Sequence, residues 1–531
     1  MAPGTAVSGS RVAGSGGEPG LTPVGTPPPL LPDRPGPADR LGAPPPSDRL
    51  RGWAVTVAVT LVAAVLRLVH LGEPTDRGTP VFDEKHYVPQ AWEMVRNGGV
   101  ENDPGYEKIV HPPLGKQLIA LGENVFGYDG FGWRIAAALA GVLTVLLLVR
   151  AGRRLTRSTA LGGLAGILLT ADGLSHVQSR MGMLDAFGSL FVMAAFAALL
   201  CDRDDIRARM ARVVAEGRVA DHEFGPRWGV RWWRLVAGLC IGLAGGVKWN
   251  GVYYVVAFGL LCVLWDVSVR RRAGVARPWT GTIARDVLPG IWALAVVPVL
   301  TYLGCWWAWF GSETGIDRHV VGREIGTGGL FSWVPDSLRS LWYYHARVLD
   351  FHEGLTTQSA GKHPWESKPW TWPMGLRPML YRWSDKASGC GEPSCVSAVM
   401  LIGTPALWWP SIPVLGWGIW RSVTRADWRW AAVLTGYAAG FLPWFLNLDR
   451  QMYYFYMMPT APFLALATVL VMGHLLGRPG RSERWRRAGL LVVSAWIALI
   501  LVNFVWLWPI LVGDSITPAH WQAELWLPSW R

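Results

Sequence analysis

Charge is scarce in this sequence. Only 17% of its 531 residues are Asp, Glu, Lys or Arg, against roughly 25% in soluble globular domains. With 51% hydrophobic residues and a mean hydropathy of +0.24, that shortage excludes a disordered protein, a fibrous protein and an ordinary soluble enzyme. Cysteine is scarce too: six residues are too few for a disulfide scaffold. Cys390 and Cys395 share an outer loop, where a bridge is permitted. Cys201, Cys240, Cys262 and Cys305 lie in or beside apolar runs and read as structural. No His or Cys set has metal-ligand spacing, and no glycine-rich loop suits a nucleotide. No apolar stretch begins before Trp53, so a signal peptide is not expected.

What is present is a series of long apolar runs joined by polar segments. Residues 1–50 hold 12 Pro and 9 Gly and read as a disordered cytoplasmic tail. Residues 51–531 read as one membrane domain. Spans are expected at 53–70, 132–150, 159–176, 183–200, 233–247, 250–268, 285–308, 397–420, 430–446, 457–475 and 488–510, each near the ~20 residues that cross a bilayer. The predicted architecture is therefore an all-α integral membrane protein with about eleven transmembrane helices.

Orientation follows from the basic joints. Arg153-Arg154 with Arg157, Arg270 to Arg272, Arg421 to Arg429 and Arg478 to Arg487 fall on alternate joints, which the positive-inside rule makes cytoplasmic. The N-terminus is then inside and the C-terminus outside. The formal charge of +12 is explained the same way, so nucleic acid is not an expected partner. Membrane lipid is, and the 33 tryptophans suit its interfaces. Two long joints, 71–131 and 309–396, fall outside.

One hairpin is tight. Residues 235–268 make about 51 Å of helix at ~1.5 Å per residue, while two crossings need about 60 Å. The turn at Lys248-Trp249-Asn250 is thus expected at or just under the outer interface. A lysine there costs roughly 2.5–3.5 kcal/mol at full depth and needs an anionic partner.

Several polar clusters lie at the outer face. Asp83-Glu84 follows directly on an apolar span end. Adjacent side chains diverge on a helix or strand, so the two cannot easily flank one bond. One could act as a base while the other binds or holds structure; a solvated acidic turn would read the same. In His111-Pro112-Pro113-Leu114-Gly115-Lys116 the prolines fix an extended entry to a helix, and His111 and Lys116 could face a phosphate or sugar. Ser179-Arg180 and Asp185 could bind a ligand or pair with each other. Asn447 to Gln451 precedes the aromatic run Tyr453 to Tyr456. Arg180, Lys248 and Arg450, at one depth, suggest a lipid-linked phosphate; each alone is an ordinary interfacial anchor. His352-Glu353 and the segment His363 to Pro373, with Glu366, Trp370 and two more tryptophans, fall in the second outer loop. They suit either sugar stacking or an interface belt.

The order Phe-Asp-Glu, His-Pro-Pro-Leu-Gly-Lys, Ser-Arg-x-x-x-Leu-Asp, Lys-Trp-Asn and His-Pro-x-Glu-Ser-Lys-Pro-Trp-Thr-Trp-Pro resembles the protein O-mannosyltransferases. It is most similar to their actinobacterial members, the polyprenol-phosphate-mannose–protein mannosyltransferases. The resemblance spans about 52–531. The chain lacks the extra lumenal repeat domain that fungal and animal relatives carry in the long outer loop. The resemblance implies the GT-C fold, with an active site at the outer membrane face and no bound metal or other cofactor. It implies inverting transfer of mannose from a polyprenyl monophosphate carrier to Ser or Thr of secreted proteins at the cytoplasmic membrane. Asp83 matches the catalytic acid and Glu84 its neighbour. Lys248, Arg180 and Arg450 are assigned to the donor phosphate. His111, Lys116, Asp185, Asn250, His363, Glu366, Trp370 and Tyr454 are candidates for substrate contact. The secretion translocon is a further expected partner. Two alternatives remain: a GT-C transferase acting on a glycolipid or polysaccharide, and a lipid or solute transporter, although no internal repeat of the transporter kind is visible.

Overall fold

The computed structural model describes residues 41, 46–101, 110–221, 223–358, 361, 363–477 and 482–531. Most of the expected N-terminal tail, and part of the joint from Arg478 to Arg487, lies outside the described residues. The chain runs through α1 (Arg49–Leu68), α2 (Glu84–Arg96), α3 (Leu114–Phe126), α4 (Gly130–Thr156), α5 (Thr159–Thr170), α6 (Gly173–Arg180), α7 (Asp185–Ala215), α8 (Trp232–Val247) and α9 (Val252–Arg272). A long helix follows, α10 (Pro278–Cys305), then α11 (Asp336–Gly354). The hairpin β1 (Met379–Ala387) and β2 (Cys395–Leu401) precedes α12 (Ser411–Arg425), α13 (Trp428–Phe441), α14 (Ala461–Leu476) and α15 (Glu483–Val512). The short β3 (Ser515–Ile516) and α16 (Pro518–Glu524) end the chain.

Among the described residues seven helical segments are long and apolar enough to cross a membrane. An eighth is added if α5 and α6, bent by 63°, form one span. α8, at 16 residues, is apolar but shorter, and α12 and α13 have 15 and 14. Length and composition therefore mark seven or eight of the eleven expected spans. The molecule is a multi-pass membrane protein.

The segment Tyr454–Leu476 is central, with 89% of its most apolar window buried, whereas α10 has 17% and α1 has 22%. Polar caps set several helix starts. Asp129 accepts from Phe131 and Gly132 N–H at α4, Ser158 from Leu161 at α5, and Asp172 from Ser175 at α6. Close approach of α8 and α10 rests on small residues. A Cβ on Gly238 would lie 1.8 Å from the Ala293 carbonyl oxygen, and one on Gly242 2.5 Å from Thr301 Cβ.

α1 is held at both ends. Asp48, just before it, accepts from Arg153 (2.5 Å) and from the Thr159 hydroxyl (2.7 Å). At the other end Arg180 donates to the carbonyls of Leu66, Arg67, Val69 and His70 at 2.7–3.2 Å.

The expected span at 397–420 is corrected. Residues 395–401 form β2, in a three-stranded antiparallel sheet ordered β1-β2-β3, and helix resumes only at Pro405. All seven β2 residues are buried. A strand covered on both faces reads as an unbroken apolar run, which periodicity cannot tell from helix. A Cys390–Cys395 disulfide closes the hairpin. Both outer joints also carry structure: α2 and α3 in the first, α11 and β1 in the second.

At the opposite end of the bundle, a buried quartet ties α7, α8 and α9. Arg231 bridges Asp202 (2.5 Å) and Asp266 (2.9 Å), and Arg234 bridges Asp266 (2.9 Å) and Asp202 (3.1 Å). Removing one partner of a buried pair strands the other charge, at about 3–5 kcal/mol. Asp266→Asn is therefore expected to lower the thermal unfolding temperature in detergent; an unchanged temperature would remove the quartet from the account of stability.

Candidate active site

A cleft of about 610 Å³ opens where the first and second outer loops meet the ends of the spans. Asp83, Tyr87, His111, Lys248, Asn250, His352, Trp444, Arg450, Tyr453 and Tyr456 are among the residues lining it. Asp83 sits immediately before α2 and makes no side-chain capping bond. Its carboxyl faces the cleft instead. Burial pushes its pKa up to about 6; Lys248 opposes that rise and Asp185 adds to it.

The backbone aims it. Phe82 has φ +51°, a conformation a bulky residue adopts only when its surroundings hold it. Its ring stacks on Tyr381 (centroids 4.1 Å apart) and meets Phe455 edge-on at 6.1 Å. Tyr381, on β1, accepts from Gln178 of α6 at 3.0 Å.

Glu84, expected beside Asp83 as a catalytic candidate, is corrected to a structural residue. It is fully buried. Its carboxylate accepts from Arg134 Nε (2.8 Å) and Nη2 (2.9 Å), from Gly182 N–H (2.7 Å) and from Val81 N–H (3.1 Å). Arg134 also donates to the Leu71 and Pro74 carbonyls. No oxygen of Glu84 remains for a substrate.

Two of the three cations assigned to a phosphate meet in the cleft. Lys248, in the turn between α8 and α9, has the anionic partner its position requires: Nζ lies 2.7 Å from Asp185 Oδ2. Arg450 donates from Nη2 to His352 Nδ1 (3.2 Å), beside the Trp444 and Tyr456 rings. Arg180 does not join them. Its guanidinium is spent on the α1 carbonyls, so its expected phosphate role is corrected.

Histidines complete the wall. His111 and His352 approach to 5.8 Å between ring centroids. Burial, then Lys248 and His352, holds His111 well below its usual pKa. Burial, then Arg450, lowers His352 to about 4. Neither ring adds charge to the cleft at pH 7; His352 accepts from Arg450 through Nδ1, so its one N–H, on Nε2, is directed to the Val110 carbonyl.

The other candidates divide. Asn250 lines the cleft. Lys116 does not: it is buried against Glu101 at 2.5 Å. His363 sits one layer back, its ring 5.3 Å from Tyr453. Glu366 accepts from Thr357 (2.7 Å) and pairs with Lys368 (2.7 Å). Lys368 in turn donates to the Leu448 and Arg450 carbonyls at 2.8 and 3.0 Å. Trp372 is buried and donates to Ser367, while Trp370 is exposed. This tryptophan-rich segment frames the stretch that carries Arg450 and does not line the cleft. Tyr454 is fully buried against Trp408, and its neighbours Tyr453 and Tyr456 face the cleft instead. His352 was visible in the sequence only as a loop histidine; its pairing with His111 and Arg450 is tertiary and leaves no local signal.

Comparisons with known proteins place the whole chain. A family profile described as dolichyl-phosphate-mannose-protein mannosyltransferase matches residues 129–311. A second, the C-terminal four TMM region of protein-O-mannosyltransferase, matches 337–530. The polyprenol-phosphate-mannose–protein mannosyltransferase of Mycobacterium tuberculosis is 53% identical over 487 residues, 92% of this chain and 93% of that one. The proteins of the same name from Mycolicibacterium smegmatis and Corynebacterium glutamicum are 50% and 42% identical, over 92% and 90% of this chain and 94% and 93% of theirs. Among solved structures, the S. cerevisiae protein O-mannosyltransferase Pmt1-Pmt2 complex bound to the sugar donor superposes with a TM-score of 0.70 at 16% identity. That match covers 92% of this chain and 95% of that one and shows a shared GT-C fold. The chain belongs to the polyprenol-phosphate-mannose–protein mannosyltransferases, within the protein O-mannosyltransferase family.

Proposed function

We propose that this mannosyltransferase moves mannose, with inversion, from a polyprenyl monophosphate carrier to Ser or Thr hydroxyls of secreted proteins. The observation that carries the reading is a single uncapped carboxyl, Asp83, sharing a cleft with Lys248 and Arg450. The donor is a phosphodiester with one negative charge. When the anomeric C–O bond breaks, the oxygen keeps the electron pair and the phosphate gains a second charge. Cations stabilise that gain better than a proton donor does. Lys248 and Arg450 supply them, with neutral His111 as an N–H donor, while His352 accepts from Arg450 and orients its guanidinium. Asp83 takes the proton as the acceptor oxygen attacks the opposite face of the anomeric carbon. One carboxylate suffices, because the leaving group departs already ionised and needs no acid.

Asn250 and the Tyr453 and Tyr456 rings line the same space and suit sugar hydroxyls and C–H faces. Asp185 anchors Lys248. The disulfide at Cys390–Cys395 supports an extracytoplasmic second loop. With the basic joints it supports a cytoplasmic N-terminus, an extracytoplasmic C-terminus and residence in the cytoplasmic membrane. The secretion translocon is the partner that would deliver unfolded acceptor chains to this face.

Asp83→Asn should reduce transfer from polyprenyl-phosphate mannose to a Ser/Thr/Pro-rich peptide by about 10²–10⁴-fold, assayed in membranes; full activity would remove Asp83 as base. The raised pKa carries a sign. Below pH about 6 Asp83 is protonated and cannot accept the proton, so kcat/KM should fall as pH drops through 6, about two units above an ordinary aspartate. Lys248→Met removes the charge that lowers the Asp83 pKa. Its residual activity should show the acid limb displaced to higher pH, and a limb unmoved or displaced downward would break the coupling.

A further inference from the structure

The second outer loop exposes an apolar edge that the transfer reaction does not use. Leu330, Phe331 and Trp333 are 82%, 63% and 79% exposed, and Trp342 on α11 is 78% exposed. Single exposed apolar residues are ordinary, but a contiguous group of large ones marks a binding surface. The group is displayed rather than loose. Ser332 N–H donates to Gly329 O and Val334 N–H to Phe331 O, forming tight turns. Gly329 has φ +107°, a value that favours glycine. Arg339, in the first turns of α11, donates to the carbonyls of Gly326 and Thr327 and pins the loop to the helix.

α11 extends this edge. Leu338, Trp342, His345, Leu349 and His352 recur at helical spacing and form one stripe. Asp336, Tyr343 and Arg347 fall on the opposite flank, where Arg347 pairs with Asp317 at 2.7 Å. In the middle of the stripe, His345 touches the tops of two spans. It bonds to Tyr302 of α10 and stacks on Trp249, beside the start of α9, with centroids 5.4 Å apart. Trp342, one turn from His345, is therefore near the ends of those two spans. Trp307, just beyond α10, is also exposed.

We infer that the loop Gly326–Trp333 and the Leu338–Trp342 flank of α11 seat in the outer leaflet as an interfacial anchor, with lipid as the partner. Trp and Phe side chains favour that interface, and an amphipathic helix lies in its plane. The far end of the stripe, Leu349 and His352, lines the cleft. Seating the loop thus fixes the height of the cleft wall above the bilayer, where the phosphate of a lipid-linked molecule lies.

The test places a photo-crosslinking residue, Phe331→p-benzoylphenylalanine or Trp342→p-benzoylphenylalanine, in the full-length protein in phospholipid nanodiscs. Asp350→p-benzoylphenylalanine, on an exposed side of α11 away from the stripe, serves as reference. After irradiation, intact-protein mass spectrometry should find phospholipid adducts at 331 and 342 in several-fold higher yield than at 350. Equal yields at all three positions, no lipid adduct at 331 and 342, or adducts there to polypeptide instead would each overturn the anchor, the last in favour of a protein partner. Mannosyl transfer does not enter the readout, so the outcome is independent of the proposed reaction.

Discussion

The salt bridge between Glu84 and Arg134 is the constraint on which the active centre depends. It is bidentate and fully buried, and Arg134 also gathers the Leu71 and Pro74 carbonyls. Three separate stretches, the end of the first span region, the start of α2 and the turn before α7, are thereby fixed to α4. Asp83 is the residue next to this knot. Successive side chains on a helix diverge by about 100°, so anchoring Glu84 inward turns Asp83 outward, into the cleft. Phe82, held at φ +51° by Tyr381 and Phe455, fixes the same direction from the other side. Two adjacent carboxylates divide the work: one organises the protein and the other faces the cleft.

The cleft balances its charge with the same economy. Lys248 is steadied by Asp185, which leaves part of its field for a ligand. Arg450 faces a neutral histidine rather than an acid, so its charge is not cancelled. His111 and His352 are kept neutral by burial and by those cations. The result is a pocket that favours an anion and favours a doubly charged one more, while the Asp83 pKa is held at about 6. Desolvation achieves both effects, because the low dielectric that strengthens the cations also disfavours ionised Asp83.

Much of this was legible in the sequence. Lys248 had to lie near an interface because its hairpin is too short for two full crossings, and a buried lysine requires an acid; Asp185 is that acid. Asp83 was marked by its position at a span end. What the sequence hid is tertiary. Nothing local says that Arg180 points back to cap α1 rather than outward to a phosphate, or that Lys116 finds Glu101. Tyr454 lies in an aromatic run whose members alternate between core and cleft, and the run does not reveal which is which. β2 read as membrane helix because both of its faces are covered. The tryptophans of 365–372 suited a sugar platform or an interface belt; the structure uses them as a frame, with Lys368 stitching the frame to the backbone around Arg450.

The double clamp fixes α1 against movement along and about its axis. Asp48 is tied by Arg153 and Thr159 at one end, and Arg180 grips four carbonyls at the other. A helix so held cannot slide like a piston or rotate like a shaft without breaking charged contacts at both ends. Arg153, which holds Asp48, and Arg134, which holds Glu84 beside Asp83, stand on the same helix α4, so α1 is fixed to the strut that also sets the cleft wall.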